Sequence, residues 1–162
     1  MKKIVIFGNS GSGKSTLAHE PCAEEKLAHL DLDGIAWKPG MPPERRSLED
    51  SGRDIADFTE SHLSWVIEGC YSDLLALVIP QATELIFLDL SVEDCIANAR
   101  QRPWEPHKYA TKAAQDANLA MLLDWIAQYA VREDTFSRTA HEALFACFNG
   151  PKTRFTDNHR VQ

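Results

Sequence analysis

Gly8-Asn9-Ser10-Gly11-Ser12-Gly13-Lys14-Ser15 follows directly on the apolar run Ile4-Val5-Ile6-Phe7, placing a G-x-x-x-x-G-K-S pattern at the end of a candidate strand. The glycines permit a backbone curl whose N–H groups point inward. A helix opening at the end of the curl adds the positive end of its dipole, so the turn suits phosphate oxygens. Gly8, Ser10, Gly11, Ser12, Gly13, Lys14, Ser15 and Thr16 are therefore the candidate phosphate-loop residues. Lys14 can reach the outer phosphates of a nucleotide, and the Ser15 hydroxyl can take a position on Mg2+.

The 162 residues, 44% of them hydrophobic, suit one domain with a real core, taken here as 1–162. A net charge of −7 argues against broad attraction to nucleic acid, which needs Lys and Arg to neutralise phosphates. The apolar runs fall short of the roughly 20 residues of a membrane helix, and Met1-Lys2-Lys3 leads into a short one only. A soluble, cytoplasmic protein without a membrane partner is expected. Cys22, Cys70, Cys95 and Cys147 are irregularly spaced with no C-x-x-C pair, which reads as reduced thiols rather than structural zinc. Cys70 stands apart because it follows a candidate strand end near the phosphate loop.

Outward from the loop, short apolar runs alternate with helical stretches, the pattern of a parallel sheet wrapped by helices. Strands are expected at 3–7, 28–32, 64–67, 84–90 and 152–156. Pro21 should kink or end the first helix, since its ring removes a hydrogen bond to the Leu17 carbonyl. A proline-rich loop at 37–43 precedes a helix at 47–62 with Leu48, Ile55, Phe58 and His62 or Leu63 on one side. Ser72-Asp73 can cap a helix that Pro80 ends, and Ser91 through Asp94 resembles a capping box. Residues 101–109 break periodicity. A helix at 111–131 carries Ala114, Ala117, Met121, Leu122, Trp125, Ile126 and Tyr129 as a core stripe, and another is expected at 135–148.

A GTPase would pair D-x-x-G with N-K-x-D. Asp31-Leu32-Asp33-Gly34 satisfies the first but follows Lys14 closely, and the second is missing from the sequence. The order of His29-Leu30-Asp31-Leu32-Asp33, Trp37-Lys38-Pro39-Gly40, Trp65-Val66-Ile67-Glu68-Gly69-Cys70-Tyr71 and Leu85-Ile86-Phe87-Leu88-Asp89 resembles the nucleoside-monophosphate-kinase-like family, with its adenylate, shikimate and gluconate kinases. It is most similar to the small kinase-like proteins described as DNA-topology-modulation proteins. The resemblance implies a three-layer α/β/α phosphate-loop fold with a five-stranded parallel sheet in the order 2-3-1-4-5. It also implies an acceptor-binding insertion at 37–63 and a short lid at 101–110.

Site roles follow from chemistry and resemblance together. A carboxylate at a strand end beside Mg2+ can hold a metal-bound water. By resemblance Asp31 and Glu68 lie on the metal side with Ser15, while Asp33 contacts or deprotonates the acceptor. Asp89 ranks behind them as an acid for the metal. Phosphoryl transfer needs positive charge around the moving group, and Arg100, Arg102 and Lys108 gather in the lid, followed by Arg132 and Arg138. The lid pattern places Arg100 on adenine and Arg102 on phosphates, with Arg132 assigned to catalysis beside Lys14. Arg45 and Arg46 can grip an anionic acceptor, and Trp37, Gly69 and Tyr71 can line its pocket. Shikimate kinases carry a glycine triplet where this chain has Glu68-Gly69-Cys70-Tyr71, which speaks against shikimate. The expected activity is transfer of the γ-phosphoryl of Mg2+-bound ATP to a small nucleotide, nucleoside or hydroxylated acid, in an oligomeric state left open. The contrasting expectation is a nucleotide-gated regulatory or DNA-associated ATPase without such an acceptor.

Overall fold

The opening apolar run forms Lys3–Gly8 (β1). In the computed structural model, which describes residues 1–40 and 42–158, this strand is the centre of the sheet. Trp65–Gly69 (β3) and Glu84–Leu88 (β4) flank it, with Ala28–Asp31 (β2) outside β3 and Lys152–Phe155 (β5) outside β4. All neighbours are parallel, so the order β2-β3-β1-β4-β5 is the one expected. The register sets Phe7 opposite Gly69 and Asp31 opposite Glu68, so the carboxyl ends of β1, β2 and β3 finish level beside the phosphate loop.

Parallel neighbours require crossovers, supplied by Lys14–Glu25 (α1), Leu48–Ser61 (α2), Ser72–Val78 (α3), Val92–Gln101 (α4), Lys112–Ala127 (α5) and Arg138–Cys147 (α6). Strand alternation divides the core in two. Val5, Phe7, Trp65, Ile67, Leu85 and Phe87 face Ile55 of α2, Leu74 and Val78 of α3, and Leu144 and Phe145 of α6. Ile4, Ile6, Val66 and Leu88 face Leu17 and Ala18 of α1, Cys95 and Ala99 of α4, and Ile126 of α5. Two apolar faces, each covered by helices, make the three layers.

Several local expectations are corrected. α1 runs through Pro21 to Glu25 and ends where Lys26 turns left-handed at φ 56°. The ring removes one donor, but packing of Leu17 and Ala18 against the sheet holds the turns around it. The 28–32 strand stops at Asp31, because the Asp31 carboxylate accepts the Asp33 N–H at 2.9 Å and folds Leu32–Gly34 into a 3-10 turn. The buried side of α2 is Ser51 and Ile55 with Phe58 beside them, while Leu48 and Leu63 are exposed. Ser72 does not cap α3. Thr135 does, accepting the Asp73 N–H on its hydroxyl at 2.9 Å and the Ser72 N–H on its carbonyl at 3.0 Å. Thr135 is thereby kept out of α6, which Ser137 caps instead. The long helix ends at Ala127, and only its carboxyl end reaches the core. Ala114, Ala117 and Met121 lie exposed.

The expected proline-rich loop is closer to a hairpin: Trp37 bridges Arg45 antiparallel, and Lys38 N–H donates to Glu44 O at 2.8 Å. Met41 within it lies outside the described residues. Among the described residues no helix is long and apolar enough to cross a membrane.

Candidate functional site

The phosphate loop has the backbone its glycines predict. Gly11 and Gly13 sit at φ 79° and 91°, where a β-carbon is strained. Gly13 is the N-cap of α1 and no side chain accepts from the first turn, so those N–H groups remain for an anion. The Lys14 ammonium folds back across the loop onto the Asn9 carbonyl at 2.7 Å. Asn9 is itself buried and donates to the Ile126 carbonyl at 3.2 Å, which ties the loop to α5. From the far side, Asn98 of α4 donates to the Gly11 carbonyl at 2.8 Å and Asn158 donates to the Ser12 carbonyl at 3.2 Å.

Above the loop opens a cleft of about 620 Å³. Ser10, Gly11, Gly13, Lys14, Ser15 and Thr16 line it, together with Asp33, Glu68 and Arg102. Gly8 and Ser12 lie beneath, in the floor: a β-carbon on Gly8 would meet the Leu88 carbonyl oxygen at 2.5 Å, and the Ser12 hydroxyl is buried without a hydrogen-bond partner among the described residues.

Three carboxylates meet at the strand ends. Glu68 is 2% exposed, accepts the Ser15 hydroxyl at 3.0 Å and lies 3.1 Å from His29 Nε2. That hydrogen bond raises the His29 pKa against the opposing effect of burial. Burial raises the Asp31 pKa, with Asp33 and Glu68 adding repulsion. Burial pushes Asp33 the same way, but the Lys108 ammonium and the Tyr71 hydroxyl outweigh it and hold Asp33 below the usual carboxylate range. Tyr71 donates a very short hydrogen bond to Asp33 Oδ1 and accepts from Trp37 Nε1 at 2.8 Å. Since the indole can only donate, it leaves the phenol proton for Asp33.

The donor set suits Mg2+, which favours hard oxygen ligands and commonly takes only one or two carboxylates alongside phosphates and water. Ser15 Oγ and Glu68 are already in hydrogen-bond contact, and Asp31 lies opposite Glu68 in the sheet register. Among the described residues no group of three or more His, Cys, Asp or Glu is placed to hold a metal ion by itself.

Beside Asp33 lies a cluster of rings and guanidinium groups. Arg45 sits 4.9 Å over Tyr71, 5.9 Å from Trp37 and 5.6 Å from Phe136, and pairs with Asp73 at 3.1 Å. Arg132 lies 3.5 Å over Trp125, 5.7 Å from Phe136, and pairs with Asp134 at 2.9 Å. Arg132 is thus in the ring cluster and not among the residues lining the cleft. Arg100 is exposed on α4, also off the cleft lining. Gly69 packs on Leu32, whose side chain a β-carbon would meet at 2.9 Å. Arg46 is absorbed by Ile35 O and Asp54.

Asp89 is turned away from the cleft and gripped by Arg138 at 2.9 Å and by Arg154. Arg138 is therefore a structural partner of β4. Cys70 is buried and its thiol is pushed up to about 12 by burial, so the proximity that set it apart brings no reactive thiolate. Reading the sequence passed over Asn98, Asn158, His29 and Phe136. Amides that steady a loop and rings that meet across loops carry no local pattern.

No family model matches this chain, and no curated protein matches it. Solved structures with similar architecture include a sugar kinase from Janibacter sp., 16% identical with a TM-score of 0.51 over 96% of this chain and 85% of that one. A deoxyadenosine kinase from M. mycoides with bound dATP is 13% identical with a TM-score of 0.49, over 98% of this chain and 93% of that one. At such identity the likeness to the sugar kinase is one of fold alone: a five-stranded parallel sheet between two layers of helices.

Proposed function

We propose that this chain is a small-molecule kinase that transfers the γ-phosphoryl group of Mg2+-bound ATP to a nucleotide, nucleoside or hydroxylated acid. The carrying observation is convergence: Lys14 and Ser15 of α1, Glu68 of β3 and Asp33 of the 3-10 turn, from three separate segments, line one cleft above an uncapped helix terminus. Mg2+, when bound by Ser15 with Glu68 and Asp31 close by, supplies charge neutralisation at the phosphates. The backbone N–H groups of the loop hold the phosphate chain. Lys14 exchanges the Asn9 carbonyl for the outer phosphates, and Arg102 at the lid margin adds positive charge where it builds up.

Asp33 orients the acceptor hydroxyl and takes its proton as the new oxygen–phosphorus bond forms and the β–γ bridging bond breaks to release ADP. Trp37 and Tyr71 hold Asp33 in place, and Arg45 stands over the Tyr71 ring where an anionic group of the acceptor would lie. Arg132 and Arg100 act outside the cleft unless the lid rearranges around bound nucleotide. The family resemblance favours the DNA-topology-modulation-like branch, and the acidic charge balance favours a small acceptor over nucleic acid.

The test is a screen of nucleoside monophosphates, nucleosides, sugar acids and shikimate for acceptor-dependent ADP release, repeated with Lys14→Ala. Stimulation by one acceptor class, lost in Lys14→Ala with melting unchanged, is expected. ADP release indifferent to every acceptor would replace the kinase reading with ATP hydrolysis, and turnover surviving Lys14→Ala would overturn the site.

A further inference from the structure

Residues 102–111 join α4 to α5 and form a pre-folded lid rather than a loose strap. Lys108 and Tyr109 N–H groups return to the Glu105 carbonyl at 2.9 and 3.0 Å, and Trp104 Nε1 donates to the Tyr109 carbonyl at 3.0 Å. Gln115 of α5 fastens the loop from behind, accepting the Glu105 N–H at 2.8 Å and donating to the Pro103 carbonyl at 3.1 Å. Asn118 of α5 donates to the Tyr109 hydroxyl at 2.8 Å. None of these bonds crosses the cleft.

Lys108 does cross it. Its ammonium lies 3.0 Å from Asp33 Oδ2 and 3.8 Å from Asp31 Oδ2, with Glu105 of the lid itself at 3.6 Å. Among the described residues these are the ion pairs that reach from the lid to the end of β2. The Lys108 side chain is 26% exposed, so the contact is partly withdrawn from water and less screened than a surface pair.

We propose that Lys108 is a latch: its ammonium holds the lid across the cleft on the Asp31–Asp33 carboxylate pair, and Mg2+–nucleotide entry must displace it. This rests on the kinase reading for the identity of the displacing ligand. An incoming divalent cation beside Glu68 offers Asp31 a stronger charge than Lys108 does, and the nucleotide needs the cleft that the latched lid spans. Release of Lys108 then leaves Asp33 free for the acceptor. Because the latched population does not bind, the latch lowers the apparent affinity for nucleotide by the fraction of molecules it holds shut.

The experiment has two arms. In the first, ligand-free protein is nicked with chymotrypsin and scored at Trp104 in the lid, whose flanking residues Pro103 and Glu105 are unchanged by substitution at Lys108. Lys108→Gln is expected to speed cleavage within 102–111 by about 3- to 10-fold, the range for loss of a partly buried pair, while Lys108→Arg stays near the parent rate. In the second, a non-hydrolysable ATP analogue with Mg2+ is titrated calorimetrically, and Lys108→Gln is expected to bind it several-fold more tightly. Unchanged cleavage in Lys108→Gln overturns the latch outright. Weaker analogue binding with unchanged cleavage would make Lys108 a nucleotide ligand instead. If no variant binds nucleotide, the kinase reading fails, while the cleavage arm still decides whether Lys108 holds the lid.

Discussion

His141 lies directly under the site and has no charge to give it. Its Nε2 is 2.8 Å from the Cys70 carbonyl and its Nδ1 is 2.7 Å from the Tyr129 hydroxyl. A carbonyl only accepts, so Nε2 carries the proton and Nδ1 accepts from Tyr129: a neutral imidazole with both nitrogens satisfied. Burial pushes its pKa down to about 4 from 6.5, with the Cys70 carbonyl opposing and Lys14 assisting. The consequence is acid lability with a defined window. As pH falls below 6.5 the unfolded chain takes up a proton that the folded chain refuses until pH is near 4, so stability drops throughout that interval. With about 1.4 kcal/mol per pH unit, the loss from this one residue is about 3 kcal/mol.

Urea denaturation from pH 7.5 to 4 tests this, comparing the parent with His141→Gln. Other groups titrate in the same range. His29, raised by Glu68, contributes with the opposite sign, stabilising below 6.5 and losing that contribution as pH rises through its folded value. The difference between the two proteins removes such shared contributions. The parent's advantage should be constant above pH 7 and shrink by about 3 kcal/mol on reaching pH 4. A difference that is flat, or that grows on acidification, would refute a buried neutral His141. Loss of this support is expected at the carboxyl end of β3 first, since His141 holds the Cys70 carbonyl between Gly69 and Tyr71.

Two further expectations concern the site. Tyr71→Phe removes the donor to Asp33 and the acceptor of Trp37, so about 1–2 kcal/mol of stability should be lost in thermal melts. Its kinetic signature should be a lower kcat with the KM for ATP unchanged, and an unchanged kcat would remove Tyr71 from the positioning of Asp33. Gly11→Ala puts a β-carbon 2.4 Å from the Cys95 carbonyl oxygen at φ 79°, where strain of about 1–3 kcal/mol or a shifted loop must follow. Weakened binding of ATP in calorimetry together with a lower melting temperature is expected, and parent-like values of both would contradict the loop geometry.

The sheet could be read from the sequence because its determinants are local. Ile4 to Phe7, Trp65 to Ile67 and Leu85 to Leu88 are apolar on both strand faces, which only a sheet covered on two sides satisfies. The phosphate loop was legible for the same reason, its glycines and Lys14 being set by one turn. Caps that cross the molecule were not. Thr135 capping α3 belongs to a contact between residues far apart in sequence, and Ser72 beside the helix offered the nearer candidate. Periodicity in α5 predicts a full core stripe, yet burial depends on what stands opposite, and Met121 is exposed. In the candidate site, residue type and resemblance point to Lys14, Ser15, Asp33 and Glu68, which line one cleft. Asp89, ranked behind them by resemblance alone, is equally acidic and equally at a strand end, and only the approach of Arg138 and Arg154 from α6 and β5 shows where its charge goes.

Charge in the site follows a rule that the overall balance of −7 conceals. At the cleft Arg102 has Glu105 and Lys108 has Asp33, while Lys14 rests on a carbonyl; in the ring cluster beside it Arg45 has Asp73 and Arg132 has Asp134. An arriving nucleotide therefore meets an electrically compensated cleft in place of a bare positive one, and the phosphates must win their cations by exchange. An arginine that exchanges its carboxylate for phosphate trades one anion for another, while the abandoned carboxylate must be rehydrated or find a new partner. Such a site depends less on long-range attraction, which an acidic protein opposes, and more on short-range geometry. Discrimination then lies in whether a ligand presents its anions where several cations can change partners together, a demand that a stray anion at one position does not meet.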